Sequence, residues 1–365
     1  MDPFAGVSDI VEVLRLVHNP PPHDPLILQV PYGKPTTAIY RALSQVDAER
    51  LVAVAAETPG MLRTVASYLA CFSKVGLGAC QRALLAQDDP YPAHAFRGGG
   101  EDVAEALFEI LKRSIRDEDR LLLDHTLCAL AWARSPRAIE AMMGWARERP
   151  SWSKALHIPP DAYARVAGFE IKAGTVRELT LPGAFKLVPT DEMGAAERVE
   201  LFARESSGLQ CGRCLRPATV LTQFDSTSLP ELQGIVPSTV VTCLECAPYG
   251  TVFVRRNPAA GWEWFASDVH AAEPGEGWGL APRAARLVPR TPWESVDWCQ
   301  ADGVSQIGGH PAWINDPEYP PCPSCARSMS TVMQIALEDF FRAEGVFYVH
   351  YCAGCAAVGV SYQQT

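Results

Sequence analysis

One cysteine spacing occurs four times in the C-terminal part of this chain: CGRC (Cys211, Cys214), CLEC (Cys243, Cys246), CPSC (Cys322, Cys325) and CAGC (Cys352, Cys355). Between the inner cysteines lie 28 residues in the first two pairs and 26 in the second two. A CxxC pair sits on a tight turn, and two such turns complete the four-thiolate tetrahedral shell of zinc. The expectation is two zinc ions per chain, one held by Cys211, Cys214, Cys243 and Cys246 and one by Cys322, Cys325, Cys352 and Cys355. Four cysteines leave no position open for water or substrate, so both ions are read as structural. The neighbouring His310 and His350 are not needed as ligands.

The repetition extends past the cysteines. Gln223 follows Cys214 by nine residues, and Gln334 follows Cys325 by nine. Gly234 lies nine residues before Cys243 and Gly345 seven before Cys352, each ahead of a strand-like run, IVPSTVVTC or VFYVHYC. Each copy then resumes after its second knuckle with β-rich sequence, TVFVRR or VGVSY. The unit reads knuckle, strand, variable loop, strand, knuckle, strand: a zinc-ribbon-like module present twice, over about 205–256 and 303–365, by internal duplication.

A disulfide framework is the competing use of eight cysteines, and it needs an oxidising compartment. The stretch MDPFAGVSDIVEVL lacks the basic and apolar segments of a signal peptide, and no run of 18 apolar residues is present to span a bilayer. The chain is therefore expected to be cytoplasmic, with thiols available for metal and no membrane partner.

At 365 residues the chain has room for two domains. Its charge is uneven. Residues 1–180 carry 20 basic and 22 acidic side chains, whereas 181–365 carry 12 basic and 20 acidic. Each four-cysteine zinc centre adds a further net −2, from four thiolates and one divalent ion. Such a field repels nucleic acid phosphate and attracts a basic protein surface.

The first half reads as helical. Asp9 with Glu12 resembles a capping box ahead of Ile10, Val13, Leu14 and Val17. NPPPHDP (19–25) breaks that helix, and Leu26 to Pro35 reads as an extended connector. Helices are expected over Asp47–Ala56, from Thr58-Pro59 with Leu62, Val65 and Leu69 inward, over Ala79–Ala86 and over Glu101–Ser114. Two more, Asp119–Arg134 and Pro136–Glu148, are joined by a Ser-Pro turn into an αα-hairpin. Stacked hairpins of this kind build HEAT-like solenoids, although no clean period is present and an irregular bundle is the alternative. His18, His23, His94, His125 and His157 show no i, i+4 pairing and read as ordinary core or surface residues. Cys71, Cys80 and Cys128 lie on helical patterns and read as buried thiols.

Composition changes after about residue 165, where strand-like pieces (TVRELTLP, AFKLVP) begin. Residues 257–320 are rich in Pro, Gly and Trp, as expected either of aromatics capping small sheets or of an exposed binding cluster. The fold class is thus α+β and multidomain: a helical, HEAT-like or irregular bundle over 1–170, then a β-rich domain over 171–365 carrying both modules.

The stretch SQIGGHPAWINDPEYPPCPSC (305–325), with MQIAL (333–337) and GVFYVHYCAGCAAVGVSYQ (345–363), resembles the YwqG-like family of bacterial domains. Ile307, Gly308, Gly309, Pro311, Trp313, Gln334 and Gly345 match its hydrophobic-Gly-Gly-x-Pro-x-Trp segment, core-strand Gln and strand-opening Gly. Gln306 stands where the family usually has a basic residue. The resemblance implies an α+β fold of paired sheets and no established enzymatic activity. It also implies, for relatives encoded beside secreted polymorphic toxins, an immunity role. Read physically, GGHPAW is a tight turn with a Trp packed on the following knuckle; read functionally, His310, Trp313 and Gln334 form a candidate binding surface.

Three classes of function compete. A protein-interaction protein, acting on a partner with a basic surface such as a toxin, follows from the acidic balance. A nucleic-acid-binding ribbon protein would need a basic stripe, and only Arg213, Arg216, Arg255 and Arg256 offer one. An enzyme finds no support in GxSxG, HExxH, P-loop, Rossmann or deaminase motifs, all of which are missing.

Overall fold

The computed structural model describes residues 2–20, 30–191, 198–204, 209–225, 227, 230–257, 261–265 and 278–364. His23 and residues 26–29 of the extended connector expected over 26–35 lie outside the described residues. The chain divides into two compact units, Met1–Arg177 and Glu178–Thr365.

The first unit is built from eight described α-helices: α1 Ile10–His18, α2 Thr36–Arg41, α3 Gln45–Glu57, α4 Pro59–Phe72, α5 Gly78–Leu85, α6 Glu101–Arg116, α7 Arg120–Ala133 and α8 Pro136–Arg147. In α1, Val13 and Leu14 of the stripe read from the sequence are buried together with Val11, while Ile10 and Val17 are half-buried; in α4 and α6 the whole stripe is buried. Leu62, Val65 and Leu69 of α4 and Val103, Leu107 and Ile110 of α6 all lie in the core. The caps differ in detail from the sequence reading. Asp9 does accept from the Val11 amide, but Glu12 turns to pair with Arg15 instead of closing a capping box. A guanidinium three residues on offers Glu12 a charge-assisted bond stronger than a backbone amide does. Thr58 likewise makes no side-chain cap; its hydroxyl donates back to the Val54 carbonyl of the preceding helix. The Ser135-Pro136 turn is as read, with Arg134 left-handed at φ 52° and Ser135 Oγ accepting from the Ala138 amide at 3.2 Å. Helix α2, short and flanked by proline, carried no periodic pattern by which to find it. The unit ends in a two-stranded hairpin, β1 Phe169–Lys172 and β2 Thr175–Glu178.

The second unit is organised by one eleven-stranded sheet, where the YwqG-like resemblance implied paired sheets. Its strands are β3 Leu181–Pro189, β4 Arg198–Arg204, β5 Thr219–Phe224, β6 Thr239–Thr242, β7 Val252–Asn257, β8 Gly261–Trp264, β9 Arg283–Arg290, β10 Gln306–Gly309, β11 Ser330–Ala336, β12 Val346–Cys352 and β13 Ala357–Gln363. They run in the order β6-β5-β4-β9-β3-β10-β11-β12-β13-β7-β8, every neighbouring pair antiparallel.

Connectivity forces this sheet to roll. Strands β6 and β7 are first and tenth in the order, so a flat sheet would hold them about 43 Å apart at about 4.8 Å per strand. The connector 243–251 reaches at most about 36 Å fully extended. The two ends of the sheet must therefore approach one another. They do: Trp262 and Trp264 of β8, at one end, pack on Val220 of β5 and Val241 of β6 at the other. Trp262 and Trp264 of the Trp-rich stretch thus cap sheet ends, whereas Trp278 packs against Phe347 of β12 and Tyr362 of β13 inside the sheet and Trp298 is exposed.

Central strands are covered on both faces. In β12, Phe347 and Val349 join the main core, while Val346 and Tyr348 face a second cluster with Val304 and Ala312. That alternation is the two-residue period of a strand with two buried sides.

Candidate metal centres

The two modules repeat in three dimensions down to their irregularities. Adding 111 carries Cys211, Cys214 and Gln223 onto Cys322, Cys325 and Gln334. In the first module the Cys211 amide donates to the Arg216 carbonyl at 2.8 Å and the Leu215 amide to the Cys211 carbonyl at 3.0 Å. In the second, Cys322 donates to Arg327 at 2.8 Å and Ala326 to Cys322 at 2.8 Å. Leu215 and Ala326 share a left-handed backbone, φ 59° and 56°, which reverses the chain after each knuckle. Both ladders slip at the same place, between Val220 and Thr222 on β5 and between Thr331 and Met333 on β11. A shared bulge is a local backbone feature that spacing of cysteines alone does not require, so its repetition supports duplication of the whole unit.

The modules part company after the second knuckle. In the second, β13 turns back to pair with β12, joining Cys352 to Ala357 across the hairpin. In the first, β7 leaves β6 and pairs instead with β13, matching Val254 to Val358. The two closing strands thereby form the seam between the modules.

Eight cysteines form two four-sulfur groups, Cys211, Cys214, Cys243, Cys246 and Cys322, Cys325, Cys352, Cys355, with the sulfurs of each group all within 4.8 Å of one another. Separations of 3.8 Å (Cys211–Cys246), 3.4 Å (Cys214–Cys243) and 3.8 Å (Cys325–Cys352) bracket the edge of a tetrahedron with bonds of about 2.3 Å, about 3.8 Å. The donor set and its size fit a tetrahedral metal ion.

Electrostatics point the same way. Hydrogen bonding from Cys243 holds the Cys211 thiol down at about 5, and the same contact pushes Cys243 far up. Burial pushes Cys246 and Cys352 up to about 12. The Arg327 side chain, as a hydrogen-bond donor, draws Cys325 down to about 6. In each group one thiol is drawn down while close neighbours are pushed up, as expected where thiols crowd together and thiolates would repel. A divalent ion removes that conflict and ionises the set.

The three residues of the candidate binding surface come together by packing. Gln334 is 1% exposed; its Oε1 accepts from the Ala312 amide at 2.8 Å and its Nε2 donates to the Val304 carbonyl. His310 is buried, with Nδ1 3.1 Å from the Pro311 carbonyl. Trp313 stacks on Tyr348 of β12 at 4.5 Å and touches Tyr319 edge-on at 5.3 Å. It meets the aromatic face of the strand, where the sequence reading packs it on the following knuckle; the knuckle cysteines cluster instead with Met329, Ala357, Phe253 and Phe265. Gln306, in place of the family's basic residue, is 1% exposed and donates to the His310 carbonyl at 2.9 Å.

Two supports of this segment were missed. Tyr348 Oη accepts from the Ile314 amide at 3.2 Å and donates to the Ala312 carbonyl at 2.6 Å. Gln363 accepts from the Asn315 amide at 3.1 Å and donates to the Asp316 carbonyl at 3.2 Å. Their partners lie 34 to 48 residues away, a separation at which sequence carries no sign of contact. Of the histidines, His157 is exposed and His18 and His125 are half-buried, whereas His350 is fully buried between Thr331 and Ser361, and burial lowers it to about 3. His94 lies against Ser67 Oγ at 2.7 Å, also buried. Cys71 and Cys80 are buried, Cys128 is half-buried, and Cys299 is exposed. Among the described residues no helix is long and apolar enough to cross a membrane.

Compared with known proteins, the chain is 32% identical to the uncharacterized protein YpfL of Salmonella typhimurium, over an alignment of 388 positions covering all of this chain and 88% of the relative. No family model and no solved structure matches the chain.

Proposed function

From the premise that this chain belongs to the family of YpfL, we propose that it is a non-enzymatic protein-interaction protein whose second unit is held in shape by two structural zinc ions. Zinc is the tetrahedral, redox-inert ion that four cysteines select in a reducing compartment, and a closed four-thiolate shell supports folding rather than catalysis. A cytoplasmic location accords with that chemistry.

The observation that carries the interaction reading is charge. Most of the excess of acid over base falls in residues 181–365, with 20 acidic against 12 basic side chains, and two filled centres would deepen it. A partner with a basic surface is the complement, and the YwqG-like resemblance over 305–363 makes a basic toxin, bound by an immunity protein, the specific form of that partner. Asp191, Asp316 and Glu344 are exposed and offer the field to solvent. Asp339 does not, since it accepts from the Ser305 amide at 2.8 Å and is part of the fold.

The test is a pull-down and a nucleic-acid gel shift on the same zinc-loaded protein. A protein partner is expected whose association slows with salt and with charge reversal at Asp191, Asp316 and Glu344. Tight, salt-sensitive retention of DNA or RNA with no protein recovered would overturn the reading in favour of a nucleic-acid-binding ribbon protein.

A further inference from the structure

The two four-cysteine groups share their spacing but not their cover. In the first, Cys211, Cys243 and Cys246 are each 1% exposed, and only Cys214 is partly open. Trp264 stands beside its knuckle, with its Cβ 3.6 Å from where a Cβ on Gly212 would be, and it borders with Cys211, Gly212 and Phe265 a cavity from which Cys211 is nevertheless almost wholly withdrawn. In the second, Cys325 and Cys355 are both partly open, and Cys352 is 8% exposed. Phe253 and Phe265 pack against this second group, and beside its second knuckle lies Arg327, itself exposed, with a guanidinium nitrogen 3.2 Å from where a Cβ on Gly354 would stand. Two of the four sulfurs of the second group are thus open to small solutes against one in the first, and the exposed guanidinium beside them offsets the negative charge of a filled centre.

We propose that the second group is an oxidant-sensitive metal centre, entered by peroxide at Cys325, while the first is permanent. The inference rests on the zinc reading above and adds which ion can be lost, and by what chemistry. The Cys325 sulfur attacks one peroxide oxygen, the O–O bond breaks and hydroxide leaves, giving a sulfenic acid. Cys352, whose sulfur lies 3.8 Å away, then attacks that sulfur; the S–S bond forms and a second hydroxide leaves. Two protons from solvent convert the hydroxides to water. The thiolate pair has given up two electrons and the peroxide has accepted them. Zinc, left with two of its four thiolates, departs as the divalent ion.

The consequence is local. Cys352 ends β12 and begins the turn into β13, and β13 is the strand that β7 pairs with across the seam. Phe253 of β7 and Phe265 pack against the same cysteines. Loss of the second ion loosens the seam while leaving the first module's knuckles closed.

The experiment uses full-length protein carrying Cys299→Ser, which removes the exposed thiol outside both groups. Zinc content is measured first, then hydrogen peroxide is added and zinc release is followed with a chromophoric chelator. Disulfides are mapped by mass spectrometry as the reaction proceeds. The expected result is two zinc ions at the start, loss of one in a fast phase and of the other in a slow phase, and a disulfide containing Cys325 that appears with the fast phase. Arg327→Ala, which removes no ligand, is expected to change the fast phase alone. Two ions released together, or a first disulfide within the Cys211–Cys246 group, would overturn the inference with the zinc reading intact. Protein folded without zinc would sink both.

Discussion

The two modules began from one pattern and still share their knuckle hydrogen bonds, their left-handed residue after the knuckle and the position of their ladder slip. Their surroundings have diverged. The first module occupies one end of the rolled sheet and lends its last strand to the other end. The second lies near the middle, with β11, β12 and β13 in sequence order and buried on both faces. Equivalent residues consequently do different jobs. Gln334 is buried and ties the GGHPAW segment to its strand, whereas Gln223, its counterpart, is exposed. Duplication preserved what the metal needs locally, and position in the sheet decided the rest.

Removing a ligand is the largest perturbation of this comparison. Cys214→Ser and Cys325→Ser are each expected to lose one zinc and unfold their own module, because metal binding in such sites, worth about 10–16 kcal/mol in isolated zinc modules, is folding energy. Elemental analysis with thermal melts checks this, and a variant that keeps both ions and the parent melting temperature would show that sulfur not to be a ligand.

The strand-opening glycines give the next contrast. Gly345 has φ 113°, and a Cβ there would stand 2.0 Å from the Tyr362 hydroxyl. Gly234 has φ 77° with nothing within 4 Å of its Cβ position. Gly345→Ala is expected to cost about 3 kcal/mol or more, from strain and overpacking together. Gly234→Ala should cost only about 1–2 kcal/mol, the left-handed backbone term alone. Equal losses in chemical denaturation would mean that the two loops are packed alike.

The paired glutamines give a third contrast, and Gln223 the smallest single effect. Gln334→Ala leaves the Ala312 amide and the Val304 carbonyl buried without their partner, at about 2–4 kcal/mol for the two groups. Gln223→Ala, on an exposed site, should stay within about 0.5 kcal/mol. A measurable loss at Gln223 would place it in a contact that its exposure denies.

By itself the sequence determined the local and the periodic features of this protein. Four CxxC turns at repeated spacing marked both sulfur groups, because a metal shell constrains residue type and separation along the chain. Helices α3 to α8 were legible for a similar reason, since an apolar stripe every three to four residues is written where it is used. Tertiary structure alone decided that β7 leaves its own module for β13, that the sheet rolls until Trp262 and Trp264 meet Val220 and Val241, and that Trp313 stacks on Tyr348. Those choices depend on strands far apart in sequence competing for the same edges and faces. Propensity is nearly indifferent to that competition, and side-chain burial settles it. The same burial, which withdraws three cysteines of the first group and leaves two of the second partly open, distinguishes two groups that the sequence presented as twins.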